Sequence, residues 1–374
     1  MYLPQEMDGL VVVKVGSSTL VDASGRPDAA FIARLIDQIA QLRHGGRPVV
    51  LVSSGAAAAG RERLGFSAKP TDIPSLQACA AAGQAALTEA YAKELASRGV
   101  ACGQVLLTRR DVTDREGYLN ARNTFFRLLE LGAVPVVNEN DTVSVSEFTF
   151  SDNDMLGAIV SALLGASQYV ILSDVAGLYT ANPQTDPTAR LVRRVTSVND
   201  EVLAMAGGAG SSVGTGGMRS KLRAARAMIA AGIPTVICEG RADNILVRVA
   251  GGELVGTRFE ADEGSSHESG RKLWIGLAEV THGRLTVDEG AKRAIVERGA
   301  SLLPVGVTKT EGTYEEGDVV DVVDASGFLI ARGVVRYSSE DMVRVRGLQL
   351  DVIGRFMPDK ATQPAIHRDE LLVF

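Results

Sequence analysis

The chain has 374 residues, with 39 Lys and Arg against 45 Asp and Glu for a formal net charge of −6, and is 45% hydrophobic, 22% charged and 5% aromatic. That length predicts two domains, three at most, and that usage belongs to a globular protein, which excludes disorder as its main state. The acidic balance removes the whole-molecule attraction that nonspecific nucleic-acid or membrane binding needs, so any anion must be met locally.

From the N-terminus, short runs rich in Val, Ile and Leu recur at 10–15, 49–52, 105–107, 134–137, 170–172 and 235–237. Apolar on both faces, they suit buried parallel strands. Segments of helical period lie between them. In 31–42 the residues Phe31, Ile32, Leu35, Ile36, Ile39 and Leu42 fall on one stripe. Residues 76–96, 119–131, 155–164 and 218–231 read the same way. The alternation predicts an α/β domain over 1–259, a mostly parallel sheet sandwiched by helices, with ligands beyond the carboxyl ends of its strands. Residues 260–271 (EADEGSSHESGR) have the composition of a linker. From 272 to 374 one helix signature, 288–298, stands among strand-like runs at 318–323, 328–335 and 342–345. This predicts a small, β-rich C-terminal domain.

Three cysteines (Cys79, Cys102, Cys238) and four histidines (His44, His267, His282, His367) are scattered, without metal-ligand spacing. A protein-built metal site is not expected. The odd cysteine count, the lack of a signal-peptide pattern and the lack of a long apolar run lead to an expectation of a cytoplasmic protein outside the membrane.

Four loops with candidate chemistry each begin where an apolar run ends. The first follows Lys14, whose ammonium is costly inside a strand unless it emerges beside an anion, and continues Gly16-Ser17-Ser18. The second, Ser53-Ser54-Gly55 with four alanines, can open a helix whose N–H groups face the crevice. The third gathers Asn138, Glu139, Asn140 and Asp141, followed by Ser151, Asp152, Asn153 and Asp154. Such carboxylates can hold an ammonium or orient lysines, although one of them would suffice as a helix cap. The fourth, Thr215-Gly216-Gly217-Met218-Arg219-Ser220-Lys221, suits a phosphate cradle but is not a Walker A loop. Two lysines, carboxylates to orient them and glycine loops between form a site for moving a phosphoryl group.

The segments VKVGSS, LVSSGAAAAGRERLG, GQVLLTRRD, NARNTF, PVVNENDTV, DND, SDVAGLYTANP and GTGGMRSK, in this order, resemble the glutamate 5-kinases of the amino acid kinase family. TVDEGA, SLLPVG, ARGVVRYSS and HRDE extend the resemblance through a PUA-like tail. The resemblance implies ATP- and Mg2+-dependent phosphorylation of the γ-carboxylate of L-glutamate, the first step of proline synthesis. It assigns catalysis to Lys14, Lys221 and Asp154, with Asp154 orienting the lysines. Ser54, Asp141 and Asn153 would bind glutamate. Lys14, Ser173, Asp174 and Thr215, Gly216, Gly217, Met218, Arg219, Ser220 and Lys221 would hold ATP, which carries the Mg2+. It further implies proline as feedback inhibitor, a glutamyl-phosphate reductase as partner and a homo-oligomer, dimer or tetramer. Ser173 stands where threonine is common and keeps the hydroxyl; Ser151 stands where glycine is usual.

Other amino acid kinases share the lysine and glycine logic but differ from the NENDT and DND pair. An RNA-binding protein is a reading from another class. Residues 272–374 hold 13 Lys and Arg against 16 Asp and Glu, without the basic excess of an RNA footprint, so RNA is not an expected partner. A local patch of Arg332, Arg336, Arg344 and Arg346 is the form such a footprint would take, but the tail is expected to modulate the kinase domain instead.

Overall fold

The protein is described by a computed structural model that covers residues 7–22, 26–108, 111, 115–144, 153–206, 217–262 and 281–374. The chain divides into two compact units, Met1–Ser265 and Ser266–Phe374. Most of the linker expected at 260–271 lies outside the described residues.

In the first unit the chain runs β1 (Val11–Val15), the single turn α1 (Ser17–Leu20), α2 (Ala29–His44), β2 (Val49–Ser53), α3 (Ala56–Arg63), α4 (Ile73–Ala96) and β3 (Cys102–Leu107). It continues through α5 (Arg115–Glu130), β4 (Val134–Glu139), α6 (Asn153–Leu164), β5 (Gln168–Ser173), β6 (Arg194–Val195) and α7 (Asp200–Met205). It closes with α8 (Met218–Ala230), β7 (Thr235–Glu239), α9 (Ile245–Ala250) and β8 (Thr257–Phe259). The eight strands form one sheet in the order β3-β4-β2-β1-β5-β7-β8-β6, parallel except where β8 turns back against β7.

Every residue of β1, β2 and β4 is buried, as expected of strands covered on both faces. One face packs on the stripe of α2, where Phe31, Ile32, Leu35, Ile36 and Ile39 are each almost wholly buried. Each such side chain contributes roughly 1.5–3 kcal/mol against its exposed state. Asp28 caps α2 by accepting from the Phe31 N–H at 2.9 Å, and Asp72 caps α4 by accepting from Ser75. These carboxylates explain why the two helices start before their apolar stripes do.

The second unit contains β9 (Gly283–Val287), α10 (Glu289–Arg298), β10 (Val307–Gly312), β11 (Val319–Val323), β12 (Leu329–Val335), α11 (Ser339–Val345), α12 (Leu350–Ile353) and β13 (Ile366–Val373). Its strands form a separate sheet in the order β10-β9-β11-β12-β13 around its own core, with Leu285, Val322, Ile330, Tyr337 and Leu371 inside. The strand-like run at 342–345 is instead the end of α11. Ser338 accepts from the Asp341 N–H, and Glu340 and Asp341 lie in the first turn, so the capped helix overrides a short β-branched pattern. Two arginines of the candidate basic patch are neutralised within this unit: Arg332 pairs with Asp321 at 2.8 Å and Arg336 with Glu370 at 2.7 Å.

Candidate active site

The polar side chains of interest emerge at the carboxyl ends of the central strands. Lys14 is the fourth residue of β1 and stands in register with Val52 of β2 and Ile171 of β5. Ser53, Glu139 and Ser173 end β2, β4 and β5. The chain runs from β1 to β2 on one side, yet β5 pairs with β1 on the other, so Lys14 sits where the strand order reverses.

Opposite this edge, the first turn of α6 carries Asn153 and Asp154. The Asp154 carboxylate, fully buried, bridges two lysines: Lys14 Nζ lies 2.6 Å from Oδ1 and Lys221 Nζ 3.1 Å from Oδ2. Burial alone would raise the Asp154 carboxyl, yet the pull of the Lys14 and Lys221 ammoniums, the latter hydrogen-bonded to Oδ2, holds it below the usual carboxylate range. Two positive charges and one negative leave a surplus of one positive charge at a nearly dry edge, suited to a polyanion. Lys221 reaches this point from the first turn of α8, whose N-cap is Gly217.

Asn153, one residue earlier and therefore about 100° around the helix, faces the other way. Its Nδ2 lies 3.0 Å from the carbonyl of Ser53, 2.9 Å from Ser54 Oγ and 2.8 Å from Asn138 Oδ1. Asn138 in turn donates to Gln84 Oε1 of α4 at 2.8 Å. Behind Ser53, its hydroxyl meets Tyr91 OH at 2.9 Å, and burial drives the Tyr91 phenol well above its ordinary value. Asp141 follows β4. Burial, with the Glu139 charge adding to it, pushes its carboxyl up to about 6. Glu139 accepts from Ser144 Oγ at 2.7 Å, and Gln77 of α4 donates to the Ser144 carbonyl. Two consecutive residues of one helix therefore connect a lysine pair to a network of amides and hydroxyls.

On the remaining side Ser173 is buried at the end of β5 and donates from Oγ to Asp174 Oδ1 at 3.1 Å, while Asp174 is exposed. Gly217 and Arg219 are exposed and Met218 and Ser220 half-buried at the start of α8. Thr215, Gly216, Ser151 and Asp152 lie outside the described residues.

Sequence reasoning missed Gln84, Tyr91 and Tyr169. Gln84 and Tyr91 are polar positions on the buried face of an Ala-rich helix, and Tyr169 is a phenol at the start of an apolar run. That mismatch between residue type and pattern is the available signal.

The model of the amino acid kinase family matches residues 9–239, and that of the PUA domain residues 283–355. The chain therefore belongs to the amino acid kinase family, in agreement with a lysine pair held at the carboxyl edge of a parallel sheet. Its full-length relatives narrow the class. It is 43% identical to the glutamate 5-kinase of Caldanaerobacter subterraneus subsp. tengcongensis, over 97% of each chain. It is 45% identical to the glutamate 5-kinase of Gloeobacter violaceus, over 97% of this chain and 98% of the other, and 45% identical to that of Bordetella pertussis, over 97% and 96%.

Proposed function

We infer that the chain phosphorylates the γ-carboxylate of L-glutamate with ATP, giving L-glutamyl 5-phosphate, the first step of proline biosynthesis. The observation that carries this reading is the placement of Asp154 between Lys14 and Lys221, one residue from an Asn153 joined to Ser54 and Asn138. The relatives that match over the whole chain support the choice of substrate.

A glutamate γ-carboxyl has an unperturbed pKa of about 4.3, so at neutral pH it is already a nucleophile and needs no general base. One of its oxygens bonds to the γ-phosphorus as the bridge to the β-phosphate breaks and ADP leaves. Lys14 and Lys221 donate to the phosphoryl oxygens, where negative charge must be carried through the transfer, and Asp154 holds the two ammoniums apart and in place. Asp141 offers its carboxylate to the substrate ammonium, with Ser54 and Asn153 beside it. Ser173, Asp174 and residues 215–221 take the nucleotide.

Both Asp154 oxygens face ammonium groups, so this carboxylate is not offered to a metal. Among the described residues no group of three or more His, Cys, Asp or Glu side chains is placed to hold one. In this reading Mg2+ comes with the nucleotide, where it would supply charge neutralisation on the phosphates. Inhibition by proline, a homo-oligomeric assembly and transfer of the labile product to a glutamyl-phosphate reductase belong to the same proposal and rest on the resemblance.

A coupled assay of ADP release with glutamate, aspartate, N-acetylglutamate and UMP tests the reading. Turnover confined to glutamate is expected, and efficient turnover of another acceptor with none of glutamate would overturn it.

A further inference from the structure

We propose that Tyr169 is a positioning residue of the phosphoryl-transfer centre, acting through the main chain of Asp154. Its hydroxyl donates to the Asp154 carbonyl at 2.8 Å, and the side chain is fully buried. Tyr169 stands on β5 opposite Val12 of β1, two residues below Lys14 on the same strand, and the alternation of a strand puts positions 12 and 14 on one face. The ring therefore occupies the layer between the sheet and α6.

A second observation makes this contact specific. A Cβ built on Gly157, one turn into α6, would lie 2.3 Å from the Tyr169 hydroxyl, 2.7 Å from Cζ and 2.8 Å from Cε2. No other residue type fits at 157 while the ring stays where it is. The missing side chain of one residue and the hydroxyl of another thus seat the first turn of α6 on β5. That turn carries both Asn153 and Asp154. A phenylalanine would fill the same volume, so packing does not require the hydroxyl. What the hydroxyl adds is a fixed carbonyl directly beneath the carboxylate that spaces Lys14 and Lys221. Misplacement of reacting groups by an ångström is costly in rate, which gives this anchor its leverage.

The proposal rests on the reading of Lys14, Asp154 and Lys221 as the transfer centre, so Lys221→Ala of the full-length chain is the control. Steady-state kinetics of Tyr169→Phe should show kcat lowered about tenfold, with the KM for ATP unchanged and the unfolding midpoint close to that of the parent. A role in packing alone, which phenylalanine would satisfy, leaves kcat intact whatever the midpoint, and that result overturns the proposal. If Tyr169→Phe does not fold, Gly157→Ala decides, because the added methyl meets the same ring. It should lower kcat with the KM for ATP unchanged. A folded Gly157→Ala with parental kcat overturns the proposal. Should Lys221→Ala leave kcat intact, the reading of the transfer centre falls. Should Lys221→Ala abolish turnover while Tyr169→Phe is normal, only the role of Tyr169 falls.

Discussion

Asp141 and Asp154 stand close in the chain and are opposed in character. Asp154 is held ionised by two lysines, so its charge persists across the working pH range and the stability it contributes is lost only as pH falls through its lowered value. Asp141 is raised to about 6 by burial and by Glu139. Its folded value exceeds the unfolded one, so it opposes folding above pH 6, and that cost is relieved as pH falls through 6 towards the ordinary carboxylate value. A carboxylate kept at such a cost suits a group that awaits a cation. The KM for glutamate is therefore expected to rise as pH drops below 6, read from initial rates with ATP saturating. Asp141→Asn should raise the unfolding free energy at pH 8 by about 1–2 kcal/mol while weakening glutamate binding, and should change stability little near pH 4. Unchanged stability at pH 8 would contradict the burial argument. At this scale Lys14 was legible because a lysine inside a valine run demands an anion or an exit. The contact between Lys221 and Asp154, 67 residues apart, has no local signal in charge or period and came only from resemblance.

Between elements, the crossing of α3 and α4 constrains the side proposed for glutamate. A Cβ on Gly60 would lie 1.8 Å from the Cys79 carbonyl oxygen, and one on Gly83 1.8 Å from that of Ala56. The two backbones touch because both residues lack side chains. Helix α3 follows directly on Ser53, Ser54 and Gly55, the last with φ of +90°, and α4 carries Gln84 and Tyr91 to the same network. Gly83→Ala is expected to cost about 1–3 kcal/mol by forcing the helices apart, measured by denaturant titration, and to raise the KM for glutamate more than that for ATP. A variant of parental stability would show that the crossing yields without strain. Helix existence was readable from apolar stripes, and the caps Asp28, Asp72 and Ser338 account for where helices begin. The glycine pair was not readable, since a close approach depends on two elements meeting. The run at 342–345 misled for the converse reason: four residues of strand character are too few to outweigh a cap.

For the molecule as a whole, every described residue assigned to the site lies in the unit Met1–Ser265, which has its own core. A chain ending at residue 265 is expected to keep turning over glutamate while its response to inhibitor changes, as a modulating tail requires, and full-length protein to show two calorimetric transitions. Loss of turnover in the shorter chain, while it remains folded, would mean that the tail completes the site. The strand-helix alternation and the placement of loops at strand ends were legible because a sheet covered on both faces imposes continuous apolar runs. The order of the strands was not, because it depends on which helices cross which face. The net charge of −6 is compatible with an anion-handling site, since two buried lysines act locally where a global field is absent.

Acyl phosphate formation on glutamate at the Lys14–Asp154–Lys221 centre can be followed by trapping with hydroxylamine. Incubation with ATP, Mg2+ and L-glutamate should yield γ-glutamyl hydroxamate in step with ADP, and Lys221→Ala should lower that yield about 10²-fold or more while the protein stays folded. ADP release without hydroxamate, or undiminished hydroxamate from Lys221→Ala, would contradict it.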